Sequence, residues 1–311
     1  MASSNPFGPR STADKVLAGI DLTGKRFVVT GCNSGIGFET MSALAANGAQ
    51  VYGLARSIAD ARAACGKVGA FCTPVACDLA DFDSVAAAAE TIRALHGPLD
   101  AIVANAGVAY LPTLQTRSGV ELQFLVNHLG HFALVNALLD QVRNGTGRIV
   151  IVSSRDGIKH APPEGIMFDN LDGRRFYEPF VFYGQSKLAN ALFAKELSRR
   201  LITRGIAVNS AHPGATRGTG LHANLSLPLK IARTAAKVFM KSPPQGAATQ
   251  ALLAASPQVG GITGEFWANC RIDEGKPLIQ DMDLARRLWE VSRDVVSRHG
   301  APAAKLLRAA A

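Results

Sequence analysis

Short apolar runs alternate along this chain with longer segments whose apolar residues recur at helical spacing. Arg26–Thr30, Gln50–Ala55, Phe71–Cys77, Asp100–Ala104, Arg148–Ser153 and Ile206–Ser210 predict strands. Arg148–Ser153 has an unbroken apolar centre, as a strand covered on both faces does. Between these runs, Gly35–Asn47, Ser57–Cys65, Asp81–His96 and Ser118–Asp140 predict helices. The last sets Leu122, Leu125, Val126, Leu129, Phe132 and Ala133 along one face. A helix over Phe180–Leu201 precedes the sixth strand, and further helices run to about Ala254. Gly264–Ala268 predicts a last strand, Asp283–Arg298 a last helix, and Asp14–Ile20 a short helix before the first strand. This alternation predicts an α/β fold, a doubly wound parallel sheet of Rossmann type with helices on both faces. No internal repeat or domain-sized linker interrupts it. The expected organisation is an N-terminal extension over 1–20, one domain over 21–298 and an Ala-rich tail over 299–311.

With 311 residues and 48% hydrophobic content, the chain can bury a sizeable core. Its net charge of +9 is concentrated between 140 and 241, where sixteen Lys/Arg face seven Asp/Glu. No basic-aromatic module accompanies the charge, so an anionic cofactor beside a solvated basic face accounts for it better than nucleic acid. Five cysteines form no Cys-x-x-Cys and read as reduced thiols, which predicts a cytoplasmic setting. His128 and His131 lack the intervening glutamate of a zinc helix, so they read as packing or solvent-facing groups and no metal is expected. Residues 1–11 carry no apolar signal-like core and no 18-residue apolar run occurs, so neither a signal peptide nor a membrane span is expected. A homo-oligomer is compatible with the composition.

Candidate chemistry centres on Tyr183 and Lys187 in Tyr-Gly-Gln-Ser-Lys. Four residues apart on a helix, they share a face. A free phenol titrates near ~10, and a fixed positive charge beside it favours the phenolate. The pair reads as a proton-transfer device. Upstream, Thr30-Gly31-Cys32-Asn33-Ser34-Gly35-Ile36-Gly37 follows a strand and opens a helix. In that context glycines let the backbone approach a pyrophosphate, and the helix start supplies amide donors. After the second strand, Ala55 is not acidic and Arg56 is basic. An acid there would grip ribose hydroxyls, whereas an arginine suits a 2′-phosphate, so NADP(H) is expected over NAD(H).

Taken with Asp78, Asn105-Ala106-Gly107, Asn127, Ser154 and Pro213-Gly214, these motifs resemble the short-chain dehydrogenase/reductase superfamily in order, over roughly residues 20–270. The runs Val126–Phe132, Phe168–Gly173 and Tyr183–Asn190 are most similar to its retinol-dehydrogenase and WW-domain-oxidoreductase branch. The resemblance implies a catalytic tetrad of Asn127, Ser154, Tyr183 and Lys187. Tyr183 would exchange a proton with the substrate oxygen, and Ser154 would hydrogen-bond that oxygen. Lys187 would lower the Tyr183 pKa and hold the nicotinamide ribose, and Asn127 would hold a water relaying protons to Lys187. It also implies that NADPH is held by Gly31, Asn33, Ser34, Gly35, Ile36, Gly37, Arg56, Asp78, Leu79, Asn105, Ala106, Gly107, Tyr183, Lys187, Pro213, Gly214 and Thr216.

Two features depart from the family pattern. Ser154 and Tyr183 are 29 residues apart, where many members use about a dozen. The extra stretch, Gly157–Pro179, reads as a loop bordering the pocket. Four residues past Gly214 the family often has a hydroxyl, whereas this chain has Gly218 between Thr216 and Thr219. The apolar, partly basic segment Leu221–Met240 reads as a lid over an apolar substrate, with membrane-surface contact and core packing as alternatives. The expected activity is hydride transfer between NADP(H) and a small hydrophobic ketone, aldehyde or alcohol. Alternatives are a carbon–carbon double-bond reductase, as in protochlorophyllide reductases, and a non-catalytic NADP-binding interaction protein.

Overall fold

A computed structural model describes residues 5–217 and 240–299. A short helix α1 (Ala13–Leu17) precedes β1 (Arg26–Thr30), α2 (Gly35–Ala46), β2 (Gln50–Ala55), α3 (Ile58–Val68), β3 (Cys72–Ala76), α4 (Phe82–Ala94) and β4 (Ala101–Ala104). A hairpin of β5 (Thr116–Arg117) and β6 (Val120–Glu121) follows. One helical stretch then runs through α5 (Leu122–Phe124), a π-helical turn (Leu125–Leu129) and α6 (Gly130–Leu138). After β7 (Arg148–Val152) come the short α7 (Arg155–Ile158), the long α8 (Pro179–Arg200) and β8 (Ala207–His212). The described chain ends with α9 (Pro243–Ala255), β9 (Phe266–Ala268), β10 (Arg271–Ile272) and α10 (Met282–Ser297).

Eight strands form one sheet in the order β10-β9-β8-β7-β4-β1-β2-β3, parallel throughout except for β10 against β9. The chain winds outward from β1 through β2 to β3, then returns to place β4 on the other side of β1. That reversal opens a crevice at the carboxyl ends of β1 and β4, where open α/β sheets bind ligands. Each face carries its own apolar layer. On one, α4, α6, α8 and α10 bury Phe132, Phe193 and Trp289; on the other, α1, α2 and α9 bury Leu17, Met41 and Leu252. The expected doubly wound fold is therefore observed.

The differences from expectation are local. The helix expected from Ser118 starts at Leu122, because Ser118 and Gly119 both take left-handed φ values (54° and 71°) and turn the chain into the β5–β6 hairpin. Glu121 then caps the new start, its carboxylate accepting from Phe124 N at 2.9 Å. The helix expected to end at Cys65 continues to Val68 and stops before Gly69, whose φ is 100°. Strand β10 was not legible in so short a segment. Among the described residues, Leu122–Gln141 is long and apolar enough to cross a membrane, a departure from the expected absence of such a stretch. It is 89% buried inside the protein, as a core helix is.

Three buried histidines tie stability to pH. Burial holds His128 at about 3 and His131 and His212 at about 4, below their ordinary 6.5. The folded state keeps them neutral while the unfolded chain takes up protons. Their contribution is thus complete above about pH 6.5 and is lost as pH falls from there toward 4. Each should cost roughly 1–2 kcal/mol by about pH 5. Urea unfolding midpoints should fall between about pH 7.5 and pH 5; equal midpoints would contradict neutral burial.

Candidate functional site

At the switch point lies a cleft of about 720 Å³. One end is formed by the turn between β1 and α2, with Gly31, Asn33, Ser34, Gly35, Ile36 and Gly37 on its wall. A Cβ on Gly37 would run into the Gly31 carbonyl, so this turn closes only with glycine there. Gly31 itself takes φ 70° and lies so near Ala106 that a Cβ would come within 3.0 Å of its Cα. Ser34, the N-cap of α2, forms no side-chain cap bond. The amides of the first turn are thereby left to a ligand. Arg56 is exposed at the end of β2 and lines the same end, and makes no ion pair among the described residues. Asp78, Leu79, Asn105, Ala106, Gly107, Pro213, Gly214 and Thr216 also line the cleft.

At the other end stand Ser154, Tyr183 and Lys187. Glu178 caps α8 by accepting from Val181 N at 2.7 Å, and Pro179 opens it. Tyr183 and Lys187 then share the face toward β7, with Lys187 Nζ 5.9 Å from the centre of the Tyr183 ring. Lys187 donates to the Val152 carbonyl at 3.1 Å, and Ser153 donates to the Lys187 carbonyl at 2.6 Å. Burial lowers the Lys187 ammonium to about 8. It raises the Tyr183 phenol above its ordinary value; Tyr110 adds to the rise and a hydrogen bond with Ser154 opposes it. Lys187 is not among the groups that shift the phenol in this structure. Desolvation of the phenol, 3% exposed, is the largest cause. Ser154 also caps α7, accepting from Gly157 N at 3.0 Å.

Asn127 lies behind this wall rather than on it. Its Oδ1 accepts from Val108 N at 2.8 Å, and its Nδ2 donates to Val108 O and to Ser186 Oγ, both at 2.9 Å. The β4 loop is thereby tied to α8. The asparagine disfavoured in a regular helix sits in the π-helical turn.

Sequence reasoning missed the network beneath Asn127. Thr30 Oγ1 accepts from Asn105 N (2.8 Å) and Ala106 N (2.9 Å), which uses both lone pairs. Its one proton must go to His131 Nε2, 2.9 Å away. His131 then carries its proton on Nδ1 and donates it to the Asn127 carbonyl at 2.9 Å. His131 is thus a fully buried packing group that also holds the glycine turn against Asn127; neither it nor His128 faces solvent. The four-residue spacing of Asn127 and His131 was the available signal. Tyr110, also missed, takes φ 56° and packs its ring on Tyr183 (4.8 Å) and Phe180 (4.5 Å). Arg117 bridges Asp78 and Asp81 at 3.0 Å each, on the rim of the cleft.

No residue of Gly157–Pro179 lines the cleft as the described residues form it. The stretch packs behind Tyr183, where a Cβ on Gly157 would meet the Tyr183 ring at 2.8 Å and one on Gly184 would meet the backbone of Ala161 at 2.6 Å. Tyr177 donates to the Leu111 carbonyl at 2.6 Å and so holds the segment after Tyr110. Its length serves packing against α8, which hydropathy did not reveal. Gly218, Thr219 and the lid expected over Leu221–Met240 fall at 218–239, outside the described residues but for Met240. Among the described residues, no three His, Cys, Asp or Glu side chains are grouped to hold a metal.

A family model described as short chain dehydrogenase matches residues 25–167. A WW domain-containing oxidoreductase from Pongo abelii is 38% identical over 298 residues, covering 92% of this chain and 71% of that protein. Retinol dehydrogenase 14 from Homo sapiens is 36% identical over 321 residues, covering 95% and 94%. Among solved structures, an uncharacterized protein from Mycobacterium Paratuberculosis superposes with a TM-score of 0.71 at 29% identity, over 88% of this chain and 94% of that one. A 3-ketoacyl-(acyl-carrier-protein) reductase from Brucella melitensis, complexed with NADH, superposes at 0.61 with 25% identity, over 80% and 97%.

Proposed function

This chain belongs to the short-chain dehydrogenase family, in the branch of the retinol dehydrogenases and WW-domain oxidoreductases, and from that premise we propose that it is an NADP(H)-dependent oxidoreductase acting on a hydrophobic ketone, aldehyde or alcohol. The carrying observation is that one cleft joins the glycine turn and Arg56 at one end to Ser154, Tyr183 and Lys187 at the other. Glycine-lined approach, first-turn amides and a basic residue after β2 fit a dinucleotide with a 2′-phosphate. When bound, the nicotinamide supplies or accepts the hydride at its C4 carbon.

The protein's own groups orient the substrate and move the proton. Ser154 and Tyr183 hydrogen-bond the substrate oxygen, and Tyr183 gives it a proton in reduction or takes one in oxidation. Bringing the buried phenol toward neutrality takes more than about 4 kcal/mol of differential stabilisation, at about 1.36 per unit. Lys187 supplies part of it and holds the nicotinamide ribose. Asn127 serves the relay to Lys187 through a water. The bare Gly107 supports this reading: the point a Cβ would occupy lies 3.0 Å from Asn127 Oδ1 and 3.5 Å from Lys187 Nζ. Val108, Tyr110, Leu122 and Val126 give the cleft apolar wall for the substrate. A cytoplasmic setting belongs to the same reading, in keeping with five free thiols.

Cofactor choice tests the proposal. NADPH should bind more tightly than NADH, and Arg56→Ala should erode that preference by roughly 10- to 100-fold, through loss of a charge-assisted contact of about 1.5–3 kcal/mol. Equal affinity of the unaltered protein for the two cofactors, by fluorescence titration, would sink the NADP(H) assignment.

A further inference from the structure

Three of the five free thiols meet beneath the glycine turn, away from the cleft wall. Cys32 follows β1, Cys65 lies in the last turns of α3, and Cys72 begins β3, the edge strand. They gather because β2 carries a glycine at position 53. A methyl there would come within 2.8 Å of Cys65 Sγ, 2.9 Å of Met41 Sδ and 3.2 Å of Cys32 Sγ, so sulfur fills the hollow. The register Val51↔Cys72 sets Cys72 on the same face of the sheet as Gly53, two residues back along the strand. Gly69 N donates to the Cys65 carbonyl at 2.9 Å, and Cys72 N donates to the Gly69 carbonyl at 3.1 Å. The neighbouring Cys32 and Cys72 thiols hold the Cys65 thiol below its ordinary value, which favours its thiolate and makes it the nucleophile of the group. Cys32 and Cys65 are buried, whereas Cys72 is half-buried and gives a small oxidant its way in. Cys32 lies between Gly31 and Asn33, both on the cleft wall.

We propose that Cys65 and Cys72 form a disulfide when the protein meets a hydroperoxide, and that the bond lowers cofactor affinity through Cys32. The Cys65 thiolate attacks the outer peroxide oxygen, the O–O bond breaks, and the departing alkoxide leaves as an alcohol after taking a proton. The resulting sulfenic acid is attacked by Cys72: the S–S bond forms, the S–O bond breaks, and water leaves with the Cys72 proton. Two thiols are oxidised and one hydroperoxide is reduced. Cys65 Sγ is drawn from its place beside Cys32 Sγ in the Gly53 hollow, and the glycine turn loses that support.

The effect on affinity rests on the cofactor reading above; the disulfide does not. The test treats the full chain with stoichiometric tert-butyl hydroperoxide, blocks free thiols, digests with trypsin and sequences the peptides by mass spectrometry. Cleavage after Arg62, Lys67 and Arg93 separates Cys65 from Cys72. The expected product joins residues 63–67 to 68–93 through Cys72, with Cys77 still blocked as a free thiol. It disappears in Cys72→Ser and in Cys72→Ala, with far-UV circular dichroism confirming that both fold. NADPH affinity should fall severalfold on oxidation, recover with dithiothreitol, and stay constant in the Cys72 variants. Binding to the reduced protein tests the cofactor reading separately. Oxidation confined to Cys77 or Cys270, or Cys65 joined to Cys32 instead, overturns the site. A Cys65–Cys72 bond that leaves NADPH affinity unchanged, in a protein that binds NADPH when reduced, overturns the coupling.

Discussion

Tyr183→Phe is expected to lower turnover by at least about 10²–10⁴-fold, the contribution of a general acid, while NADPH affinity and stability stay near those of the unaltered protein. The substitution keeps the ring, and with it the packing on Tyr110 at 4.8 Å. It removes the one hydroxyl proposed to pass a proton. Burial raises the phenol and Ser154 pulls it down, so removal should relieve a desolvation cost rather than open a hole. An unchanged or slightly raised urea midpoint should accompany the lost turnover. Turnover within a few-fold of normal, on a substrate the unaltered protein accepts, would move the weight to a non-catalytic role.

Gly37→Ala should abolish tight cofactor binding by a different route. The new methyl would overlap the Gly31 carbonyl and lie 2.6 Å from Asn105 Nδ2. That amide donates to the Thr30 carbonyl at 2.9 Å, so the collision reaches both the turn and the β4 loop. Overpacking of this kind costs about 1–3 kcal/mol of stability, and NADPH affinity should drop more than about tenfold as the turn opens. Gly66→Ala is the control: it lies in α3 with nothing within 4 Å of the new methyl. There alanine should be neutral or stabilising by up to about 1 kcal/mol. Equal cofactor affinities for the two variants would mean that the β1–α2 turn does not hold the dinucleotide.

Much of this is legible in the amino-acid sequence. The parallel strands read as apolar runs because both faces of the sheet are covered, and the glycine turn and the Tyr183/Lys187 spacing are local signals that need no tertiary information. What escaped depends on elements meeting in space. Thr30, His131 and Asn127 come from β1, α6 and the π-helical turn, and only their hydrogen bonds reveal that they act together. The rise of the Tyr183 pKa reflects burial, which the Tyr-x-x-x-Lys spacing does not encode. The β5–β6 hairpin rests on two residues with left-handed φ, too short for a periodic signal. Gly157–Pro179 reads as a loop from its prolines and glycines; its packing against α8 depends on close approach to Tyr183 and Gly184, which no local pattern encodes.

The proposed reaction is hydride transfer to a carbonyl carbon, with Tyr183 supplying the proton. It is tested most directly by incubating the protein with NADPH deuterated at the reactive C4 position and the best substrate from a panel of hydrophobic ketones, aldehydes and enones, then locating the label by mass spectrometry and NMR. The expected product is an alcohol with deuterium on the carbinol carbon, formed by the unaltered protein and not by Tyr183→Phe. Deuterium on a carbon of a former carbon–carbon double bond, or no NADPH consumed with any compound, would contradict it.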